Sequence, residues 1–302
     1  MKDLMAVISG SFGKRFTARQ KERFVRYMRN WAQKHSIKCV LDEKRLGFGF
    51  CRNIYLGDLK RAELLLAIPY DTSTRILWPG IRYYPVHKEK NVFQETISNG
   101  LNVLLAAAVI VGYYFLVFSK PSFTAMEENW KLAGLLLCSL LVGKILFGWG
   151  NRNNYARNDA SIVIALEYLK RSLTGRAAIA LLDHSCCGFQ GYRQMYEYLE
   201  KKGLKKKILI LDCVCSGNEF HLYSLETLPQ LPKKLVHRLT ADEATGTIFE
   251  LLPSGVLLTG GQQCQGETVV VNTRSGRDCQ INLNKMEEAL KIIRQVEDAM
   301  VK

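Results

Sequence analysis

Acidic residues are scarce in this chain relative to basic ones. It carries 28 Asp and Glu against 42 Lys and Arg, a formal net charge of +14. The basic residues are spread along the chain, and they lack a recognition motif or the interleaving with aromatic residues that is typical of nucleic-acid binding. We therefore predict no nucleic-acid partner. An anionic membrane surface suits this charge better.

We predict neither a signal peptide nor a disulfide framework. The N-terminal stretch is polar, and the nine cysteines form an odd total that includes the adjacent Cys186 and Cys187 and the alternating Cys213 and Cys215. This usage indicates reduced thiols in a cytosolic compartment. The apolar fraction of 48% in 302 residues is ample for a folded core and excludes a disordered chain.

Charge itself is missing from two long runs. No charged residue occurs between Thr96 and Ser119, and Leu101 to Phe118 is apolar apart from Asn102. The second run, Leu132 to Trp149, is interrupted only by Lys144. Each run is long enough to cross a hydrocarbon layer of ~30 Å. We predict a transmembrane hairpin with helices at about 97–118 and 132–149; two buried core helices are the alternative.

A hairpin in this position leaves both soluble parts on one side of the membrane. We therefore predict one domain, made of 1–95 and 150–302, interrupted by the inserted hairpin 96–149. The short loop between the helices balances its lysines with glutamates, whereas the other side is flanked by four basic residues: Lys88, Lys90, Arg152 and Arg157. The positive-inside rule then predicts a multi-pass protein of the cell membrane with its domain in the cytoplasm.

The rest of the chain alternates strands with helices. Lys14 to Lys38 predicts an amphipathic helix that packs its aromatic stripe on a sheet and leaves a basic face for anionic head groups. Gly57-Asp58 predicts a hairpin turn between strands at Gly47 to Leu56 and Ala62 to Ile68. The alternation further on predicts an α/β sandwich with a mostly parallel central sheet.

One acidic residue stands at the start of an apolar helix pattern. Asn158-Asp159-Ala160-Ser161 runs directly into Ile162, Ala165, Leu166 and Leu169. Asp159 there is either an ordinary N-cap or a carboxylate that holds a cation. Three other stretches have the look of strand ends that converge on it at the binding edge of an α/β sheet: Ile68 to Thr72, Leu182 to Gly191 and Ile210 to Val214.

An ordered set of segments carries a family resemblance. The segments are AIPYDT, ARNDASIVIALEYL, LLDHSCCGFQGY, ILILDCV and VNTRSGRD, between about Asn53 and Val296. The set resembles the dizinc aminopeptidases, exopeptidases related to the glutamate carboxypeptidase and transferrin receptor ectodomains, and is most similar to a membrane-embedded bacterial branch. The resemblance implies a three-layer, zinc-exopeptidase-like fold.

The resemblance also implies a metal site with particular residues. Family members hold two zinc ions bridged by one Asp, each ion completed by a His and a second carboxylate, with a Glu as base. Asp159 stands where the bridging Asp belongs, Asp212 where a terminal carboxylate belongs, and Asp71 where a residue orients the first His. The other positions depart from the pattern: Pro69 and Asn272 replace the two His, Ser185 the base and Cys186 the ligand Glu.

These departures predict a protein that has lost zinc and peptidase activity. We expect no cofactor and no catalytic residue, and we expect Asp159 and Asp212 to approach each other with no base nearby. The former cleft would serve a peptide or protein partner, and the bilayer is the other partner. One alternative is an active aminopeptidase that binds zinc through Cys186 with His184, Cys187 or Cys213. Another is a nucleophilic Cys186 paired with His184, for which no third group is visible.

Overall fold

The central sheet is assembled from strands on both sides of the two apolar runs. The computed structural model describes residues 1–47, 49–75, 78, 82–122, 124–172, 175–263, 269–271, 278–280 and 282–301. Its strands are β1 (Cys39–Leu46), β2 (Gly49–Leu56), β3 (Leu64–Pro69), β4 (Ala177–Leu182), β5 (Lys207–Asp212), β6 (Glu219–Ser224), β7 (Val236–Arg238), β8 (Val256–Gln263) and β9 (Val269–Val270).

The sheet is parallel at its centre and antiparallel toward its margins. Its order is β1-β2-β4-β3-β5-β8-β6-β7, with β9 paired to β8. β4, β3, β5 and β8 run parallel, whereas β1, β2 and β6 pair antiparallel with their inner neighbours. The predicted α/β architecture is confirmed; the sheet is mixed, and its four central strands are the parallel ones.

β4 lies between β2 and β3, so the predicted Gly57-Asp58 hairpin turn is wrong. β2 pairs instead with β4, Leu56 opposite Ile179. The reason is that β4 is buried along its whole length, so its backbone N–H and C=O groups need a neighbouring strand on each side. Gly57 makes the exit from β2 with a φ of 101°.

Helices cover both faces of the sheet. Along β3, Leu64, Leu66 and Ile68 join one core cluster, and Leu65 and Ala67 join the other. The first cluster contains α1 (Lys2–Phe12), α2 (Ala18–Lys34), α5 (Ala160–Arg171) and α9 (Leu283–Met300). The second contains α6 (Gln190–Lys201), α7 (Ala241–Ala244) and α8 (Ile248–Leu251). Successive side chains of a strand point to opposite faces of the sheet, so the sheet packs helices on both faces and forms a three-layer structure.

The N-terminal region differs from the single predicted helix. It forms two helices, and α2 begins at Ala18 because Thr17 and Gln20 form a reciprocal capping box. Phe24, Met28 and Trp31 pack on the sheet, as predicted. The basic face is only partly free, since Arg15 and Lys21 are both buried.

The two apolar runs form long helices that pack against each other. α3 (Lys88–Tyr113) continues into a π-helical turn at Tyr114–Phe118, and α4 (Ala125–Phe147) returns toward the sheet. Both are long and apolar enough to cross a membrane, and both are mostly exposed. They begin earlier than the predicted helices; a capping box at Thr124 sets the start of α4. The division into domain and insertion stays a prediction.

Candidate binding cavity

Three parallel strands end at one edge of the sheet, where the chain turns into loops. Pro69 closes β3, Leu182 closes β4 and Asp212 closes β5. A cavity of about 310 Å³ opens there, and we call it the main cavity. Among the candidate site residues of the sequence, Pro69, Ser185, Cys186, Cys187 and Asp212 line it. Asn272, another position at which a role was expected in the cleft, lies outside the described residues.

A buried arginine forms part of the cavity wall. Arg157 is 2% exposed, and its Nε donates a hydrogen bond to Cys186 Sγ over 3.0 Å. Nη2 donates to the Cys186 carbonyl, and the guanidinium lies 4.7 Å from the centre of the Tyr83 ring. The cavity therefore carries a fixed positive charge beside the Cys186 thiol.

The backbone around Arg157 is held by its own contacts. A π-helical turn, Tyr155–Asp159, precedes α5, and such turns recur at functional sites. The N–H groups of Ala156 and Arg157 donate to the Asp278 carboxylate over 2.7 and 3.3 Å. Burial raises the pKa of Asp278 to about 6, while these two N–H groups oppose the rise. The turn, and with it the guanidinium, is thus positioned before any ligand arrives.

Asp212 faces the main cavity with two donors of its own. The Tyr83 hydroxyl donates to its Oδ2 over 2.9 Å, and the Cys213 thiol donates to Oδ1 over 3.4 Å. Burial raises the pKa of Asp212, and the charge of Arg157 works in the opposite direction. Tyr83 was not anticipated from the sequence, because it lies far from every motif that carries the resemblance.

Asp159 occupies a different environment from the one predicted. It is fully buried and does not line the main cavity. Its Oδ1 accepts a hydrogen bond from Arg15 Nη2 over 2.6 Å, and among the described residues Oδ2 has no partner. Burial raises its pKa to about 6, although Arg15 opposes the rise. Its backbone is helical and its side chain makes no capping bond, so the predicted N-cap is also wrong.

Arg15 pairs with Asp159 outside the main cavity. Its remaining donors bind the carbonyl groups of Tyr70 and Phe12, and it is fully buried. The sequence interpretation placed Arg15 on the basic face of a helix. The capping box at Thr17 was the available signal against this, since it starts the helix three residues later and leaves Arg15 outside it.

Asp71 holds the loop that follows β4. Its Oδ1 accepts the N–H groups of Ser185 and Cys186, each over 3.0 Å. Burial raises the pKa of Asp71 to about 7, and the Ser185 N–H opposes the rise. With Pro69 in the position of the first His, this carboxylate is bonded to backbone instead of a ring.

One predicted helper of Cys186, His184, does not converge on it. His184 has a φ of 48°, and its Nε2 lies 3.3 Å from Lys21 Nζ, which pairs with Asp183 over 2.6 Å. His184 lines a separate cavity, described below, whereas Cys186 lines the main one. The Cys186–His184 pair is therefore wrong, because the His184 ring lies beside Lys21 instead.

A carboxylate that the sequence interpretation missed also lines the main cavity. Glu95 comes from α3, immediately before the uncharged run. The prediction that the cleft has no acidic base was made from the family positions alone. Glu95 escaped it because it matches none of those family positions and lies just before the predicted hairpin.

The donors present do not suit zinc. Zinc takes deprotonated Cys, His or carboxylate ligands, usually in a tetrahedral set. Here Asp159 is committed to Arg15, Asp212 accepts a hydroxyl and a thiol, and Cys186 receives a guanidinium N–H. A dication at Cys186 would stand beside a buried positive charge. Within the described ranges, no group of three or more His, Cys, Asp or Glu side chains is arranged to hold a metal ion.

Comparisons with known proteins support the fold only. No protein-family model matches the chain. No curated protein sequence matches it either. A Porphyromonas gingivalis glutaminyl cyclase aligns over 99% of this chain and 98% of its own, at 11% identity and a TM-score of 0.57. The Legionella pneumophila LapA aminopeptidase aligns over 99% and 69%, at 8% identity and a TM-score of 0.53.

A third solved structure agrees with these two. The glutaminyl cyclase of an Acidobacteriales bacterium aligns over 99% of this chain and 92% of its own, at 11% identity and a TM-score of 0.53. The chain thus has the zinc-exopeptidase-like fold shared by glutaminyl cyclases and an aminopeptidase. The expected fold is confirmed, and the glutaminyl cyclases are similar structures that the sequence motifs did not indicate.

Proposed function

We propose that this chain is a membrane-anchored binding protein on an aminopeptidase-like fold, which holds a peptide or amide in its main cavity without zinc-dependent hydrolysis. One observation carries the proposal. Arg157 is buried in the cavity wall with its Nε 3.0 Å from the Sγ of Cys186, the residue at a former ligand position.

A guanidinium replaces only part of what zinc does. Both are cations that can bind a carbonyl oxygen. Zinc coordinates the oxygen, whereas a fixed arginine donates hydrogen bonds to it through directed N–H groups. Zinc also lowers the pKa of a bound water so that hydroxide attacks at neutral pH, which a guanidinium does not do. The site that results can recognise an amide and leaves its bond intact.

The cavity has the properties of a ligand site. Its volume of about 310 Å³ lies at the lower end of the usual range of roughly 300–1,000 Å³. Ile210, Leu257 and Ile248 supply apolar wall, while Arg157 and Asp212 supply opposite charges. That combination suits an amide whose carbonyl faces the guanidinium and whose amino group faces the carboxylate.

The proposal includes a place for the chain in the cell. The hairpin of α3 and α4 would anchor it in the bilayer, with the domain in the cytoplasm. The exposure of both helices supports this, since an apolar helix of that length is seldom left open to water. A peptide or protein with an accessible N-terminus would be the soluble partner, and we propose no nucleic-acid partner.

The test uses one probe for binding and for turnover. Leucine p-nitroanilide is titrated into the full-length protein by calorimetry, and release of nitroaniline is followed in the same samples with and without zinc. We expect binding without turnover, at least about tenfold weaker binding in Arg157→Met, and no change in Arg26→Met, an exposed arginine on α2. Wild-type protein that fails to bind the probe would contradict the proposal.

The second candidate is an active metal-dependent aminopeptidase with altered ligands. Two observations favour it: Asp212, Glu95 and Cys186 line one cavity, and the fold is that of the LapA aminopeptidase. Zinc-dependent turnover that is lost in Asp212→Asn would establish this function. A glutaminyl cyclase substrate belongs in the same assay, because the similar structures include such cyclases.

A further inference from the structure

A second cavity lies where the two long helices meet the sheet. It has a volume of about 390 Å³, and we call it the junction cavity. Its walls are the segment Asp71 to Arg75 after β3, one face of α3, and the segment Ile145 to Trp149 at the end of α4. Neither the family resemblance nor the main cavity accounts for it.

α3 contributes a polar wall, which extends from its charged first turns into the uncharged run. Glu95, Ser98, Asn99 and Asn102 line the cavity at spacings of three, four and seven, which places them on one helix face. Asn102 Oδ1 also accepts a hydrogen bond from Trp78 Nε1 over 2.9 Å. Polar residues at membrane depth are costly and are kept for function.

The charges of the junction cavity do not favour an anion. Lys21 is already paired with Asp183 over 2.6 Å, which leaves the exposed Arg75 against the carboxylates of Asp71 and Glu95. An anion entering this cavity would therefore meet more negative charge than positive, whereas an uncharged ligand would not be repelled.

Hydroxyl and aromatic groups complete the lining. Ser73 is buried, and its Oγ has no hydrogen-bond partner within the part of the chain that the structure describes. Phe16, Phe147 and Trp149 line the same cavity. Aromatic rings pack on the C–H faces of sugar rings, while amides and carboxylates bond their hydroxyls. We infer that the junction cavity binds the uncharged polyhydroxyl headgroup of a membrane glycolipid.

The position of the cavity provides room for the rest of such a lipid. It lies at the sheet-proximal ends of α3 and α4, where Trp149 would sit at the level of lipid head groups. Leu146 and Phe147 are exposed beside it and would contact acyl chains. Glu95 and Cys187 line both cavities, so a headgroup would share a wall with the main cavity. This inference rests on the membrane placement proposed above, and on nothing in the main cavity.

The test uses full-length protein in lipid nanodiscs. The protein is purified in lauryldimethylamine oxide, since maltoside detergents would compete, and is incorporated into phosphatidylcholine discs with equal small fractions of monoglucosyl diacylglycerol and phosphatidylglycerol. Native mass spectrometry counts the lipid that stays bound. We expect retained glycolipid, and about tenfold less of it in Asn99→Leu and in Ser98→Ala, because each would lose a hydrogen bond to the headgroup. Thr96→Val, which lies outside the lining, should behave as wild type.

Each other result overturns the inference. Preferred retention of phosphatidylglycerol would mean a phosphate site. Displacement by millimolar glucose alone would mean a soluble sugar as the source. Equal retention of all lipids, or unchanged retention of glycolipid in both variants, would show that the junction cavity does not bind the headgroup. Failure to enter nanodiscs would contradict the membrane placement. Leucine p-nitroanilide binding by Asn99→Leu reports separately on the main cavity.

Discussion

Arg157 Nε lies 3.0 Å from Cys186 Sγ, inside the wall of the main cavity. By the family resemblance, position 186 belongs to a carboxylate that binds a metal cation. Here the positive charge is instead covalently part of the chain, two residues before Asp159. The binding properties of the cavity should therefore depend on this arginine, and the stability of the site should depend on it as well.

Arg157→Met should lower the free energy of unfolding by about 3 kcal/mol, because it leaves the buried Asp212 carboxylate without its compensating charge. Chemical denaturation measures this. Adding Asp212→Asn should recover part of the loss, since the uncompensated charge is removed. A double variant as unstable as the sum of the two single variants would show that the charges do not interact.

Arg15→Met should destabilise the protein by about 3–5 kcal/mol, because Asp159 would be left buried and unpaired. Arg23→Met on the exposed side of α2 is the matched control and should stay within about 0.5 kcal/mol of wild type. If Arg15→Met behaved like this control, Asp159 would not be an ion-paired carboxylate.

Stability should fall as pH rises from about 4 to about 7. Burial raises the pKa of Asp159 and Asp278 to about 6 and that of Asp71 to about 7. All three lie above the unfolded value of about 3.9, so the folded state binds more protons across this window and loses that advantage as pH rises.

Asp71→Asn tests the pH prediction at one residue. The amide oxygen can still accept the two loop N–H groups. By the linkage argument above, the free energy of unfolding of the variant, measured by chemical denaturation, should depend less steeply on pH between 5 and 7 than that of wild type. The slope should be reduced by up to about 1.4 kcal/mol per pH unit. Asp58→Asn, whose carboxyl pKa is lowered by Lys38, is the control. Identical slopes in wild type and Asp71→Asn would refute the assignment.

The membrane arrangement predicts which side of the cell a new cysteine faces. A cysteine at Lys120, in the loop between α3 and α4, should be labelled from outside the cell, and one at Asn218 in the domain should not. Both are exposed positions, and a background without the exposed Cys187 and Cys279 keeps the signal clean. The reverse pattern would place the domain outside the cytoplasm.

Periodicity and burial made the fold predictable. The strand Ala177–Leu182 and the helix Leu283–Met300 show why: each is an apolar pattern bounded by polar or glycine-containing segments, and the alternation of such patterns predicted the α/β architecture. The order of strands was less accessible. β4 lies between β2 and β3 because this buried strand needs a neighbour on each side. The turn signal at Gly57 is local and carries no information about which strand pairs with β2.

The location of the site was predictable from the sequence, but its side-chain contacts were less so. Pro69, Ser185, Cys186 and Asp212 share a cavity because parallel strands end at one edge. Arg15 was missed because its partner, Asp159, is 144 residues away in sequence. Charge alternation along a helix cannot distinguish a solvated arginine from one that is buried against a distant carboxylate.

We propose that Arg157 stands in place of a metal cation in the main cavity. The most direct measurement is the zinc stoichiometry of the full-length protein by mass spectrometry after equilibration with zinc and removal of the excess, together with the melting temperature before and after a chelator. Wild-type protein should retain no stoichiometric zinc and should melt at the same temperature in both cases. The variant that combines Arg157→Ala with Pro69→His, Ser185→Glu, Cys186→Glu and Asn272→His should gain bound zinc. Stoichiometric zinc in wild-type protein, with a melting temperature that falls on chelation, would contradict the account.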